Sequence, residues 1–456
     1  MSNRPEPPAT RTTSTLAHGT LARFSGEAAG ALFGLVVGAM TARYLGPTGK
    51  GTLSALSYLV ALMAPLCAFG LGEASQTLFG RGRMSLDRCV RAVSGLLAVS
   101  TGAGVIVLMG LIWVMFSGEI PGLRLAIVAA ALTLPLITYV TIFGILLDSA
   151  GHVVFVSFVR LCIAASTTVS TIVLMYFLEL AITGALLAIV AGWSVGLVLL
   201  LVRLRRSKLG FWPRWDPGFL REAIPLGIPT QLSYLVIVAS TRVDLLAVRA
   251  LAGSSEAGSY SVALTVGQVT TYAPIALAVA AFPVIASIRD DDEARQLVGR
   301  VCRTTVLTAL LGAVVLGAVV PVALPLTFGR EFTPAVGPTL LLLVGGVLWG
   351  AQWTACRAES ARGRPRMLLR SFGISLVVML VADLVLIPGL GLMGAAAASV
   401  LSSAVGLAVV VGSDSGGPRI TPGARGFLPR WPDLAHLTST LSAYLGRGRP
   451  PTNRAL

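Results

Sequence analysis

The chain has 456 residues and a formal net charge of +15, with 55% hydrophobic residues and only 12% charged ones. Ordinary soluble domains carry about 25% charged residues, so this composition excludes a soluble protein of this length and also a disordered, collagen-like or disulfide-rich chain. No segment presents a basic face on a soluble domain, so nucleic-acid binding is excluded as well.

Residues 1–20 are rich in Pro, Thr and Ser and lack the apolar core of a signal peptide, so we expect a disordered tail. Apolar runs then recur, each long enough for a helix to cross about 30 Å of hydrocarbon. The runs are continuous and do not alternate, which excludes a membrane β-barrel. The sequence therefore predicts an all-α polytopic membrane protein with twelve transmembrane spans, at residues 22–42, 51–72, 92–116, 123–147, 154–177, 181–202, 222–249, 258–286, 301–326, 334–356, 368–387 and 391–412.

Four charged residues inside predicted spans are the main candidates for function, because a charge there is costly. Arg23 and Glu27 stand one turn apart at the inner start of span one and can form an ion pair. Arg242 and Asp244 lie in the outer part of span seven, about 200° apart on a helix, so they are not expected to pair with each other. A structural role stays open for all four: anchoring on the inner side, snorkelling, or pairing with other helices.

Polar residues and prolines in later spans give weaker candidates. Gln268 and Tyr272 in span eight can line a polar path or hydrogen-bond another helix. Pro65 in span two and Pro274 in span eight are expected to interrupt their helices, and such bends can serve as gates or as packing features. Asp383, near the outer end of span eleven, is expected to pack between helices.

The distribution of charge sets the predicted topology. Of the 35 Lys and Arg residues, 29 fall on one side of the twelve spans, so we expect both termini in the cytoplasm. Residues 21–202 and 222–412 form two predicted six-helix bundles, joined by a basic cytoplasmic linker at 203–221. Residues 413–456 are rich in Gly, Pro, Arg and Ser and are expected to form a mostly disordered cytoplasmic tail.

The two halves of the chain resemble each other. Residues 184–198 and 394–408 match at seven of fifteen positions without a gap, at an offset of 210, and Pro65 and Pro274 correspond at an offset of 209. A shift of six spans preserves orientation, so the repeats are parallel and related by a pseudo-two-fold axis along the membrane normal. Two such bundles enclose a cavity at their interface, which is the geometry of an alternating-access transporter.

Four stretches resemble the polysaccharide transporter family, the lipid-linked oligosaccharide flippases. They are Ala42-Arg-Tyr-Leu-Gly-Pro47 with Gly51, Ser240-Thr-Arg-Val-Asp-Leu245, Thr327-Phe-Gly-Arg-Glu-Phe-Thr-Pro-Ala335 and Leu386-Ile-Pro-Gly-Leu-Gly-Leu-Met-Gly-Ala-Ala396. The resemblance implies a superfamily shared with multidrug/cation antiporters and lipid II flippases, with two six-helix lobes around a central cavity. The lipid II branch usually has fourteen spans, so twelve favours the polysaccharide branch.

The resemblance also implies a substrate and roles for several residues. The expected substrate is an oligosaccharide on a polyprenyl pyrophosphate, moved from the inner to the outer leaflet of the bacterial cytoplasmic membrane for cell-surface polysaccharide synthesis. Arg242 can then hold the pyrophosphate, and Arg23 can face the lipid head group. Asp244 can bind a proton or cation, with H⁺ or Na⁺ as the coupling ion. Polysaccharide-assembly proteins are the expected protein partners.

Other functions remain as alternatives. A multidrug/cation antiporter on the same fold requires an acidic cavity, for which Asp244, Glu27 and Asp383 are available. A major-facilitator transporter is less favoured because Asp87-Arg88 lacks the following glycine of that family's loop motif. A membrane glycosyltransferase is disfavoured because no interior linker exceeds about 20 residues. We expect no catalytic group, metal site or nucleotide cofactor, since no phosphate-binding G-x-x-x-x-G-K-[ST] loop occurs.

Overall fold

The computed structural model describes residues 13–116, 123–207, 209–412 and 420–427, and the side chains of 13–29, 31, 123, 424 and 425 lie outside the described set. The described residues are almost entirely helical, and they contain no strand. The predicted all-α membrane fold is confirmed. The α-helices of the described residues are α1 Thr13–Ala68, α2 Leu71–Gly80, α3 Leu86–Phe116, α4 Leu123–Ser149, α5 Val153–Thr171, α6 Ala181–Arg206, α7 Pro217–Ser240, α8 Val243–Ala252, α9 Ser254–Gly267, α10 Val269–Ser287, α11 Asp291–Phe328, α12 Val336–Ala361, α13 Arg366–Leu390 and α14 Leu392–Gly412.

Short helical turns accompany these helices. A π-helical turn at Ile172–Phe177 continues α5, a 3₁₀ turn at Arg330–Ala335 precedes α12, and another lies at Ala424–Phe427. Within the predicted C-terminal tail, Thr421 donates both its N–H and its hydroxyl to the buried Glu359 carboxylate. Residues 420–427 are therefore held against the C-terminal end of α12.

Ten helices of the described chain are long and apolar enough to cross a membrane. This count differs from the twelve predicted spans because α1 contains spans one and two, and because span seven is divided between α7 and α8. Helix α1 also begins at Thr13, inside the predicted tail of residues 1–20, since helix can form once the prolines end at Pro8.

Two spans predicted as continuous are broken in the structure. Span seven is interrupted at Thr241 and Arg242, and span eight is interrupted at the single residue Gln268, whose dihedral angles (φ −61°, ψ −21°) stay helical. In span seven, Ser240 ends α7 and Thr241 lies in the break, and such residues compete for backbone hydrogen bonds and so favour helix ends. Hydrophobicity alone does not register such an interruption, because the flanking residues stay apolar.

The two halves of the chain share a backbone feature at the offset that relates their sequences. Gly46, between spans one and two, has φ 64°, and Gly253, between α8 and α9, has φ 96°. Both glycines adopt positive φ, a conformation that other residues rarely take. They are 207 residues apart, the same spacing that relates Gly51 to Gly258. The internal duplication seen in the sequence therefore extends to the positions where the helices break.

The chain forms two compact units, Met1–Val238 and Ala239–Leu456, and the boundary lies inside α7. In the first unit, a buried cluster is built from α2, α3, α4, α5, α6 and the start of α7, with Leu97, Phe143 and Phe219 buried. In the second unit, α12 packs against α10, α11, α13 and α14. The first part of α7 thus belongs to the first unit, and its last two residues belong to the second.

Helix α7 packs closely against the break between α1 and α2. The last four carbonyls of a helix have no partner within the helix. Two of those in α1 are satisfied by side chains, since Gln231 Nε2 donates to Pro65 O at 2.6 Å and Ser100 Oγ donates to Cys67 O at 2.8 Å. A Cβ at Gly227 would stand 2.7 Å from Phe69 O, so only glycine fits there.

We expect Gly227→Ala to destabilise the first unit by about 1–3 kcal/mol, the usual cost of overpacking. The added methyl group would press on backbone carbonyls of Phe69 and Gly70, which cannot rotate away as a flexible side chain can. Thermal unfolding in detergent measures the effect. The control is Gly102→Ala in α3, where nothing lies within 4 Å of the added carbon. Equal melting temperatures for the two variants would contradict the close contact.

Candidate functional site

The break between α7 and α8 places Arg242 and Asp244 at the start of a new helix. Arg242 precedes α8, with φ −135°, and its N–H donates to Ala239 O at 3.2 Å. Asp244 stands in the first turn of α8, where free backbone N–H groups favour a negative charge. Its Oδ1 accepts the N–H of Leu245 at 2.8 Å. The sequence predicted a continuous helix here, so the orientations expected for the two side chains from a helical wheel do not apply.

The Asp244 side chain is only 2% exposed and is surrounded by hydroxyl groups. Tyr260 in α9 donates its hydroxyl to Asp244 Oδ2 at 2.8 Å. Ser399 in α14 donates to the same oxygen at 3.4 Å, and its Oγ lies 3.3 Å from the Tyr260 hydroxyl oxygen. Tyr260 is itself fully buried. Three helices of the second unit therefore converge on one carboxyl group.

A second buried carboxyl group comes from α13. Asp383 is fully buried, and neither of its oxygens has a hydrogen-bond partner among the described residues. It lies within electrostatic range of both Asp244 and Tyr260. We call Asp244, Tyr260, Asp383 and Ser399 the acidic site.

Burial constrains the charge that the acidic site can hold. An unpaired carboxylate inside a protein is strongly unfavourable unless it is neutralised or paired. Two carboxyl groups within range of each other make a double negative charge still less favourable. The site is therefore stable when it holds a proton or a small cation. All of its side-chain ligands are oxygen atoms, which suit a hard cation such as Na⁺ and not a soft transition metal.

Three further predicted residues lie near the acidic site. Arg242 is half-buried and within electrostatic range of Asp244 and of Tyr272 in α10. Tyr272 is 44% exposed, and Gln268 precedes it by one turn at the break between α9 and α10. The structure thus brings Arg242, Asp244 and Tyr272 together in the second unit, with Gln268 next to Tyr272 along the chain.

The two predicted gate prolines have different surroundings. Pro65 lies in the last turn of α1, four residues before the break at Phe69 and Gly70, which both have positive φ. Pro274 is buried inside α10, which continues past it to Ser287, and its role as a bend or gate stays a prediction. A Cβ at Gly350 of α12 would stand 2.6 Å from the Pro274 ring. The Pro274 ring therefore packs closely against α12.

Arg23 and Glu27 fall within the bounds of α1, but their side chains lie outside the described residues. They remain predictions. A different cation of the first unit, Lys50, is 8% exposed and donates Nζ to Thr41 Oγ1 at 2.9 Å across the Gly46 kink. Sequence reasoning placed Lys50 on the outer side of the spans and did not anticipate its burial.

Sequence reasoning also missed the polar partners in the second unit. Tyr260 and Ser399 are uncharged polar residues among small and apolar ones, and nothing in the sequence singles them out from the neighbouring serines. A similar network links α12, α13 and α14, where Gln352 Nε2 donates to Ser371 Oγ at 2.9 Å and to Ser375 Oγ at 3.0 Å. Hydrogen bonds between membrane helices stabilise packing by about 0.6–2 kcal/mol.

Comparison with known proteins gives a family model and several similar folds. The model described as polysaccharide biosynthesis protein matches residues 16–289. No curated protein sequence matches the chain significantly.

Solved structures resemble the chain over most of its length. A multidrug resistance MATE family transporter of the MOP superfamily, in an inward-facing conformation, has a TM-score of 0.71 at 14% identity, covering 86% of this chain and 96% of its own. The lipid II flippase MurJ has a TM-score of 0.69 at 14% identity, covering 95% and 94%. A mutant of the Vibrio cholerae MATE transporter VcmN has a TM-score of 0.62 at 14% identity, covering 87% and 94%. These likenesses show a shared fold.

Proposed function

This chain belongs to the polysaccharide biosynthesis protein family, and we propose that it is a flippase. It shares its fold with transporters of the MOP superfamily. It moves an oligosaccharide linked to polyprenyl pyrophosphate from the cytoplasmic to the outer leaflet of the bacterial cytoplasmic membrane. The observation that carries the proposal is the family match over residues 16–289. The protein acts by alternating access, and it makes or breaks no covalent bond.

The chemistry of the proposed substrate explains why its transfer needs a protein. A sugar chain with a pyrophosphate cannot cross about 30 Å of hydrocarbon unaided, whereas the prenyl tail stays in the lipid. Arg242 is a half-buried guanidinium among polar side chains, suited to bidentate contact with a phosphate group. Gln268 and Tyr272 supply hydrogen-bonding groups beside it for the sugar. Arg23 and Glu27 would meet the head group at the inner end of α1.

The acidic site is the proposed coupling site. Asp383 has no partner among the described residues, and Asp244 already accepts from Leu245 and Tyr260. Binding of H⁺ or Na⁺ neutralises these carboxyl groups and draws α8, α13 and α14 together. Release of the ion restores the repulsion between the two carboxylates. Movement of the ion down its gradient thus changes the packing of the helices that carry Arg242 and Asp244.

The second candidate function is a cation-coupled multidrug antiporter, which the fold shared with MATE transporters and the buried acidic site favour. A lipid II flippase is the third, on the fold shared with MurJ. These substrates differ in chemistry: the proposed one is an anionic glycolipid, a typical drug of an antiporter is an apolar cation, and lipid II carries a peptide.

Ligand-dependent unfolding of the purified full-length protein distinguishes these functions. We expect a polyprenyl-pyrophosphate oligosaccharide to raise the melting temperature, because a ligand that binds the folded state stabilises it. Ethidium and lipid II should leave the melting temperature unchanged. A matched control is the same polyprenyl pyrophosphate without sugar, which should stabilise less. If ethidium alone raised the melting temperature, the protein would be an antiporter and not a flippase. If lipid II alone raised it, the substrate would be lipid II.

A further inference from the structure

The segment between α6 and α7 is held against the start of α3. We call residues 209–216 the strap. The strap begins after α6, and it ends at Asp216, which caps α7 by accepting the N–H of Phe219 at 3.0 Å. Gly210 donates its N–H to Asp87 Oδ1 at 2.6 Å, and Arg214 donates its N–H to Arg91 O at 3.1 Å. The chain between the two predicted bundles is therefore a fixed part of the first unit.

A bidentate ion pair fixes the far end of the strap. Arg88 donates Nε to Asp216 Oδ2 at 2.7 Å and Nη2 to Asp216 Oδ1 at 3.1 Å. The hydrogen bond from Arg88, followed by that from the Phe219 N–H, lowers the pKa of Asp216 to about 2. Asp216 is thus ionised at every physiological pH, and the pair persists under those conditions. Asp87 and Arg91 form a second pair at 2.9 Å on the same side of the strap.

A cavity of about 470 Å³ lies between the strap and α3. Two of its arginines, Arg88 and Arg91, are already paired with Asp216 and Asp87. Arg214 is exposed, and its guanidinium has no partner among the described residues. The cavity therefore has one surplus positive charge, beside a tryptophan. Its lining residues are Asp87, Arg88, Arg91, Ala92, Arg214, Trp215, Asp216 and Pro217.

The strap also exposes two large aromatic side chains. Trp212 is 74% exposed and Trp215 is 60% exposed. Phe211 stacks on Trp212 with ring centroids 5.6 Å apart, and the Arg205 guanidinium lies 4.9 Å from the Phe211 ring centre. Tryptophan is enriched at membrane–water interfaces, where the apolar ring and the N–H group meet different surroundings. Two exposed tryptophans in one short segment therefore suit a position at the membrane interface.

The strap lies next to helix ends that carry several arginines. The start of α3, the end of α6 and the start of α7 meet there, together with exposed Arg205 and Arg206. The positive-inside rule places this end in the cytoplasm. The cytoplasmic leaflet of a membrane is enriched in anionic lipids, which attract juxtamembrane Arg and Lys.

We propose that the cavity between the strap and α3 binds the head group of an anionic phospholipid of the cytoplasmic leaflet. The lipid phosphate contacts the free guanidinium of Arg214, whose planar fork suits phosphate oxygens. Trp212 and Trp215 lie among the upper acyl carbons. The site is separate from Arg242 and the acidic site, which belong to the second unit. It does not depend on the identity of the transported substrate.

The test measures lipid binding to the purified full-length protein in detergent by native mass spectrometry. The probes are phosphatidylglycerol, phosphatidylcholine and inorganic phosphate. We expect phosphatidylglycerol to be retained and the other two not to be. Arg214→Gln should weaken phosphatidylglycerol binding about fivefold, the effect of one interfacial arginine. Trp215→Ala should weaken binding of the same lipid without changing the charge.

The matched control is Arg81→Gln, which removes one exposed charge on the same side outside the cavity. It should leave binding unchanged. Melting temperatures of the variants show whether each still folds, and neither the Arg214 nor the Trp215 side chain is buried. Equal retention of phosphatidylcholine, retention of inorganic phosphate alone, or undiminished binding by Arg214→Gln would each overturn the proposal.

Discussion

Asp383→Asn is expected to abolish gradient-driven transport while the protein stays folded. Asparagine has nearly the same shape as aspartate, but it neither takes up a proton nor carries the negative charge that binds a cation. Asp383 is fully buried and lacks a partner among the described residues, so the loss of charge removes no structural ion pair there. The transport rate with an imposed gradient should therefore fall to the rate measured without one.

The stability of the same variant separates coupling from packing. We expect the melting temperature to stay equal or to rise, because replacing a buried unpaired charge by a neutral group is often stabilising. Glu331→Gln is the matched control, as the same charge is removed at an exposed position of the second unit. It should transport normally. Normal gradient-driven transport by Asp383→Asn would show that the acidic site is only structural.

Arg242→Ala is expected to reduce glycolipid transport about tenfold or more, with normal protein levels. A bidentate contact between guanidinium and phosphate is among the stronger polar interactions, and its loss leaves the pyrophosphate unpaired. Arg242 immediately precedes α8, within electrostatic range of Asp244 and Tyr272. Transport assays on cells and on purified protein both measure the effect.

Two variants show whether Arg242 acts through its charge or its shape. Arg242→Lys keeps the charge but loses the planar fork, so we expect a partial loss. Arg330→Ala removes an exposed arginine elsewhere in the second unit and should transport normally. If Arg242→Ala transported the glycolipid at the full rate, Arg242 would be excluded as a substrate residue.

Hydrophobicity and charge predicted the helical fold and the positions of most spans, because long apolar runs leave no alternative to helices in lipid. They did not predict the breaks at Thr241–Arg242 and at Gln268. These breaks depend on local hydrogen bonding, such as the Asp244 carboxylate accepting the N–H of Leu245. The break at Thr241–Arg242 changes the direction of the backbone, so it sets where the side chains of the site lie.

Charge inside a span was a good guide to part of the site. Asp244 was a candidate from the sequence, and the structure places it at the centre of the acidic site. Asp383 was expected to pack between helices, and its unpartnered carboxyl group was not foreseen. Tyr260 and Ser399 are 139 residues apart, so nothing in the sequence relates them to each other before the fold is known. The strap was predicted only as a basic linker, since the pairing of Arg88 with Asp216 spans 128 residues.

The most direct measurement is transport of a labelled polyprenyl-pyrophosphate oligosaccharide in vesicles that contain the purified protein. The fraction of label exposed on the outer leaflet is followed over time with an imposed H⁺ or Na⁺ gradient. The flippase account predicts much faster transfer than in protein-free vesicles, faster still with the gradient, and a loss of the gradient effect in Asp383→Asn. Transfer no faster than in protein-free vesicles would contradict the account.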